Sequence, residues 1–297
     1  MSRSPAVAHA ILFGGVAVVS TASILIRYAQ AEGASSLLIA AGRLSIAALA
    51  LAPIALRSAA AELARLPWRD RLLCAGSGLL LALHFWTWIA SLEYTSVASS
   101  TALVTTNPLW VAVASGLLLR ERPGAGTLAG IGLTLAGSAF IFASDASSAV
   151  SGTSPTTGNL LALAGAIAVS GYLLAGRALR ARVALLTYVF TAYAVAAAAL
   201  TLGCVAAHVP PHATTTAWAL ILALGVGPQL LGHTALNWAL RRVSATFVAV
   251  SILGEPIGAA ALAWLLLGER FAPLQFAGFA LLLSGIYLAA RAERPAA

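Results

Sequence analysis

The sequence predicts an all-α integral membrane protein, with ten transmembrane helices arranged as two five-helix repeats of inverted topology. Three observations predict it: composition, an internal duplication, and the placement of arginine. Of the 297 residues, 60% are hydrophobic and 9% charged, and the mean hydropathy is +0.93. Soluble domains carry roughly 25% charged residues. So little charge cannot cover a water-facing surface, but it suits an outer surface that meets lipid.

The duplication is clearest between Thr95–Phe142 and Val243–Ala290. Adding 148 to a residue number carries Asn107-Pro108 onto Glu255-Pro256 and Leu117-Leu118-Leu119 onto Leu265-Leu266-Leu267. The same step carries Glu121-Arg122 onto Glu269-Arg270, Gly130 onto Gly278 and Gly137 onto Gly285. Weaker matches extend it: Val19-Ser20 and Arg27 fall on Val169-Ser170 and Arg177 at an offset of 150. A self-similarity this long implies two homologous halves.

A helical span needs about 20 apolar residues, and helices satisfy their own backbone groups in lipid. Ten candidate spans follow: 6–28, 35–56, 71–91, 96–119, 125–143, 158–178, 183–206, 216–240, 244–267 and 272–290. Every one of the 17 basic residues is Arg, a bias best assigned to base composition. Most sit before the first span, after each even-numbered span through the eighth, and after the tenth; Arg27, Arg43 and Arg270 are the exceptions. Arginine collects on the cytoplasmic side, so both termini are expected there, in a multi-pass protein of the inner (plasma) membrane. An odd number of spans per half makes the halves cross in opposite senses, related by a pseudo-two-fold axis in the membrane plane. The expected division is 1–143, an external Ser/Thr-rich linker 144–157, and 158–297.

A proline in mid-span, then Leu-Leu-x-Glu-Arg, then a Gly-rich span occurs twice, in Pro108–Arg122 and Pro256–Arg270 with the spans that follow. The pattern resembles the EamA-type drug/metabolite transporters, over nearly the whole chain. Within that superfamily the chain looks most like ten-helix amino-acid exporters, including exporters of aromatic amino acids. The resemblance implies a secondary carrier of small metabolites working by alternating access. One departure is Asn107 where the second repeat has Glu255, so a role for the carboxylate belongs to the second half alone.

The residues themselves offer a cavity. Glu255 is the one carboxylate placed deep in an apolar run; ionised at mid-bilayer it would cost on the order of 3 kcal/mol or more, so it should face a cavity or a partner. It either binds a substrate ammonium or carries a proton, or else it satisfies backbone groups freed by Pro256. Pro108 and Pro256 each remove a mid-helix hydrogen bond and are hinge or gate candidates, or static kinks. Gln229, His233 and Asn237 recur at i, i+4, i+8, and His84, Trp88 and Ser91 share a comparable face with Trp86 and Thr87 beside it. Such stripes line an interior or join helices by hydrogen bonds. Trp86, Trp88, Trp110, Tyr94, Tyr172 and Tyr188 suit an aromatic-lined pocket, with Asn107 beside it. Trp68, Trp218 and Tyr287 read as interfacial anchors, and Trp264 fits either role. Arg43 attracts a substrate carboxylate or snorkels to the external interface. Glu121-Arg122 and Glu269-Arg270 are expected to fix the turns between helices.

No nucleophile elbow, phosphate loop or metal-ligand spacing occurs, so neither an enzyme, a cofactor nor a metal is expected. The net charge of +8 is scattered between apolar runs and does not form a nucleic-acid patch. Cys74 and Cys204 read as small core residues. The expected partners are a small-molecule substrate and the bilayer, with a monomer compatible. The alternative from another class is a non-transporting scaffold or lipid-handling protein, which needs no wet cavity.

Overall fold

The computed structural model describes residues 5–119, 124–147, 153–179, 182–239, 251–252 and 254–292. All regular structure among them is helical. Helices α1 (Pro5–Ser20) and α2 (Ala22–Ala31) form one rod bent at Thr21. The Thr21 hydroxyl there donates to the Val18 carbonyl at 2.7 Å. Helix α3 (Ser36–Arg65) starts at Ser35, whose side chain accepts from Leu38 N, and stops before Pro67, which cannot continue a helix. Helix α4 spans Trp68–Tyr94. Then come α5 (Val97–Val104), α6 (Asn107–Leu119), α7 (Ala125–Ser147), α8 (Pro155–Leu179) and α9 (Leu185–Ala206). Helix α10 (Thr215–Leu224) passes into a π-helical segment, Gly225–Gly232, and on into α11 (His233–Ala239). Helices α12 (Gly254–Leu267) and α13 (Pro273–Ala292) close the described chain.

Among the described residues, seven helical stretches are long and apolar enough to cross a membrane: His9–Ala31, Ser36–Arg65, Trp68–Tyr94, Ala125–Asp145, Pro155–Gly176, Leu185–Ala206 and Thr215–Ala235. The stretch expected as one span over 96–119 is broken at Thr105–Thr106 into α5 and α6. Pro108 therefore lies in the first turn of α6, where a missing N–H leaves no bond unmade; the expectation of a proline inside a continuous helix is corrected. Pro256 likewise lies in the first turn of α12, and residues 240–250, which precede it, are outside the described set.

The pairing of helices is symmetric under exchange of the repeats. Helix α4 packs on α8, and the rod α1–α2 packs on α10, the π segment and α11. Exchanging first-repeat elements for their second-repeat equivalents turns one pairing into the other. The same holds for α5 and α6 on α8 against α12 on α1 and α2. Two pairs of equivalent helices, α3 with α9 and α7 with α13, pack on one another and run antiparallel. In α3 and α9, Glu62 lies beside Ala184 and Thr187, whereas Leu37 lies beside Gly203. In α7 and α13, Gly130 faces Gly285 and Ala289, while Gly137 faces Gly278 and Leu282.

That second seam is where glycine is required. A Cβ on Gly137 would lie 2.5 Å from Leu282 N, and one on Gly285 would lie 2.5 Å from Thr134 N. The backbones touch because both sides lack side chains, as in small-residue seams between membrane helices. The outer surface is apolar: Leu49, Ile54 and Leu56 on α3, and Leu202 and Val205 on α9, are all exposed. Trp68, Trp218, Trp264 and Tyr287 are exposed too.

Helix α7 runs four residues beyond the expected end of its span at 143, and α8 begins at Pro155, inside the expected linker. The physical reason is a buried polar knot. The Asp145 carboxylate accepts from Asn159 Nδ2 at 2.8 Å, Gln275 Nε2 at 2.7 Å and Ser99 Oγ at 3.2 Å. Those bonds satisfy a charge that would otherwise have ended the helix in water.

Candidate functional site

A cationic side chain occupies the middle of the bundle. Arg43, on α3, has no exposed surface and is the largest fully buried side chain among the described residues. Its Nη2 donates to Gln229 Oε1 at 2.8 Å, and its guanidinium carbon sits 4.2 Å from the centre of the Phe85 ring on α4. Nε and Nη1 have no hydrogen-bond partner among the described residues. Tyr193 on α9 and Glu255 on α12 lie within electrostatic reach of the guanidinium, as do His84 on α4 and His233 on α11. Tyr193 also lies within electrostatic reach of Gln229. Arg43 does not snorkel to an interface, and that reading is corrected: α10 and the π segment cover it.

The local backbone explains how. Pro228 has no N–H, and its ring would collide with the carbonyl four residues earlier in an α-helix. The π geometry of Gly225–Gly232 opens the turn around it. Two glycines let neighbours close in: a Cβ on Gly225 would lie 2.7 Å from Ile46 Cγ2, and one on Gly232 would lie 2.5 Å from Val19 Cγ1. Helix α3 therefore approaches the π segment at the turn that carries Arg43, and Gln229 points at it, buried.

The fold brings His84, Gln229, His233 and Glu255 together around Arg43. His84 Nδ1 donates to the Gly165 carbonyl at 2.9 Å, so this ring also joins α4 to α8. His233 meets the Phe85 ring edge-on at a centroid distance of 6.5 Å. Trp88 stacks parallel to His84 at 6.0 Å, and its buried indole N–H has no partner among the described residues.

Other expected residues lie elsewhere. Trp86 is 47% exposed in one stripe with Leu72, Leu79 and Leu83, so it faces outward and does not line a cavity with Trp88. Two residues along a helix are turned by about 200°, which puts neighbours such as Trp86 and Trp88 on opposite faces. Tyr172 stacks on Tyr188 with centroids 5.6 Å apart, and the Tyr188 hydroxyl donates to the Tyr172 carbonyl at 2.8 Å. This pair belongs to an apolar cluster with Leu66, Cys74 and Leu179, and Tyr172 also packs against the larger core cluster that holds Phe85 and Trp88. Trp110 is half-buried, and its Nε1 donates to Thr106 Oγ1 at 3.1 Å. The helix backbone passes through 237, but the Asn237 side chain, like Glu121-Arg122, lies outside the described residues.

Asn107 and Glu255 are half-buried, and a symmetric contact ties each to the other half. Ser170 Oγ donates to the Asn107 carbonyl at 3.0 Å; Ser20 Oγ donates to the Glu255 carbonyl at 3.4 Å. Each serine also donates to the carbonyl four residues before it. The repeat register in the sequence thus corresponds to a repeated contact just before each proline.

The EamA-like transporter family model matches the chain twice, over residues 7–143 and 156–291. The chain belongs to the EamA-like transporter family. A solved structure titled "Crystal structure of protein" is similar at 23% identity, with a TM-score of 0.63, covering 96% of this chain and 97% of that one. At that identity it speaks for the fold alone. No curated protein matches. Membership makes the chain a membrane transporter of small molecules by family.

In this EamA-like transporter the Gly-Glu-Arg turn of the second repeat has a visible task. Both carboxylate oxygens of Glu269 accept from Val97 N, at 2.9 and 3.1 Å, capping α5 of the first repeat. Burial pushes the Glu269 carboxyl up, while the Val97 N–H and Arg27 pull the other way. Arg27 Nη1 donates to the Leu92 carbonyl. Glu269, the Asp145 knot and Arg27 together join α2, α4, α5, α7, α8 and α13 at one end of the bundle. At the other end Glu62 of α3 accepts from Ala184 N and Thr187 Oγ1 at the start of α9, and Arg182 pairs with Asp70 at 3.2 Å.

Sequence reasoning does not single out Phe85 or Tyr193, and it leaves Arg43 between attracting a substrate carboxylate and snorkelling. The signal for Arg43 was present: it was one of three arginines that broke the alternating charge pattern. Tyr193 follows Tyr188, Phe190 and Thr191 in an apolar stretch, and nothing in its spacing points inward.

Proposed function

We propose that this protein is an inner-membrane secondary transporter that exports amino acids or related small metabolites by alternating access. Ten crossings carry it, five per repeat, with the repeats inverted and both termini cytoplasmic; 1–143 and 158–297 form the repeats and 144–157 the external linker. The antiparallel packing of equivalent helices supports inversion. The observation that carries the transport reading is the buried polar centre itself. Arg43, Gln229, Tyr193 and Glu255 come from both repeats and meet inside the bundle. Intramembrane ionisable groups are expensive and mark substrate pathways, and carriers built from inverted repeats bind at the repeat interface. A scaffold has no need of an unpaired guanidinium there.

In this reading Glu255, His84, Trp88, Asn107, Trp110, Gln229, His233 and Asn237 surround the substrate path. The break at Thr105–Thr106 before Pro108, with Pro256 in the other half, supplies the hinges. The test is protein reconstituted in liposomes loaded with labelled amino acids. The expected result is protein-dependent efflux of a subset; efflux equal to empty liposomes for every amino acid would remove the assignment.

A further inference from the structure

We infer that Arg43 is the anchor for a substrate carboxylate, so that the transported class is small monocarboxylates, amino acids included, recognised by the acid group. This rests on the transporter reading and deepens it. A guanidinium carries five N–H donors. Here Gln229 takes one from Nη2, Phe85 covers the planar face, and Nε and Nη1 have no acceptor among the described residues. An uncompensated charge in an apolar interior is strongly unfavourable unless an anion or several acceptors meet it. Among the described residues the ion pair at contact distance is Arg182 with Asp70, at an end of the bundle. Glu255 is the carboxylate within electrostatic reach of Arg43, yet it forms no ion pair with it. Two guanidinium donor groups, Nε and Nη1, are therefore left without an acceptor among the described residues.

Charge selects the class. One guanidinium balances one carboxylate; a phosphate dianion would bring a second charge into a centre that already holds Glu255. Planar carboxylates also match the donor fork of arginine. The neighbours Phe85, Trp88 and Tyr193 offer apolar and aromatic surface to the rest of the molecule. The buried, unpartnered Trp88 Nε1 is a second unused donor, on α4 beside the Phe85 that holds the guanidinium.

The experiment is thermal unfolding of the purified full-length protein in detergent, followed by intrinsic tryptophan fluorescence. The probes are free amino acids and simple monocarboxylates, each beside its carboxamide and its decarboxylated amine, with inorganic phosphate as a further arm. Free acids are expected to raise the unfolding temperature of the wild type, while amides, amines and phosphate do not. Arg43→Gln should weaken the apparent affinity for the acids at least tenfold. Arg43→Lys, which keeps the charge and loses the fork, should fall between and covers the case in which Arg43→Gln does not fold. Equal stabilisation by acids and amides, stabilisation by phosphate alone, no stabilisation by any carboxylate, or unchanged acid binding in both variants would overturn the inference. Acid binding that disappears with Arg43, in a protein that moves nothing in liposomes, would sink the carrier reading and leave the anion anchor standing.

Discussion

The α7–α13 seam gives a prediction whose size follows from distances. In Gly137→Ala the added Cβ would lie 2.5 Å from Leu282 N, 2.6 Å from the Gly278 carbonyl oxygen and 2.8 Å from Leu282 Cα. Ordinary contact begins near 3.4 Å. All three atoms are backbone, so no side chain can swing away, and the helices must separate by nearly 1 Å along this stretch. Overpacking of this kind costs roughly 1–3 kcal/mol, against which alanine regains about 0.5–1 kcal/mol over glycine in a helix. The net expectation is a loss on the order of 1 kcal/mol. Gly132, on the same helix, is the control, because its Cβ would meet nothing within 4 Å. Gly132→Ala should be neutral or stabilising. The assay is the unfolding temperature of both variants in one detergent. If Gly137→Ala matches Gly132→Ala, or is the more stable of the two, the close antiparallel seam is wrong.

Three further outcomes follow from the same geometry. Glu269→Ala removes the cap on α5 and should cost about 1–2 kcal/mol, with faster amide exchange at Val97–Ser99; Glu269→Gln should recover part of it, and equal stability of all three proteins would remove the capping role. Trp86→Ala should leave transport within about twofold of wild type because the ring faces outward. Trp88→Ala, buried and stacked on His84, should lose roughly 3–5 kcal/mol of stability, and a reversed order in reconstituted protein would show the helix face to be misread. If Glu255 carries a coupling proton, Glu255→Gln should abolish stimulation by a pH gradient while exchange persists, with His84 and His233 left as they are; an unchanged pH response ends that role.

Much of the fold was legible because membrane helices announce themselves by length and hydropathy, and the repeat by register. The match of Ser20 to Ser170 and of Asn107 to Glu255 even marked a contact, since both serines reach the carbonyl before a mid-span proline. Local breaks were not legible: hydropathy does not register where Thr105–Thr106 turns out of helix, and Asp145 looked like a linker residue because its partners Asn159 and Gln275 lie far along the chain. The site was half legible for a similar reason. Spacing found His84, Gln229 and His233, which share helix faces. It missed Tyr193 and left Arg43 undecided between cavity and interface, because their inward direction is set by the π turn and by packing between repeats. It placed Trp86 inside because it weighed residue type above helical phase.

Aqueous access to the buried centre tests the central claim most directly. A single cysteine at His233→Cys, in a background with Cys74 and Cys204 replaced by alanine, would be exposed in liposomes to a membrane-impermeant thiol reagent from one face and then the other. The account predicts modification from both faces, at rates that change when a transported carboxylate is added. Modification from neither face, with reaction only by a lipid-soluble maleimide, would contradict it.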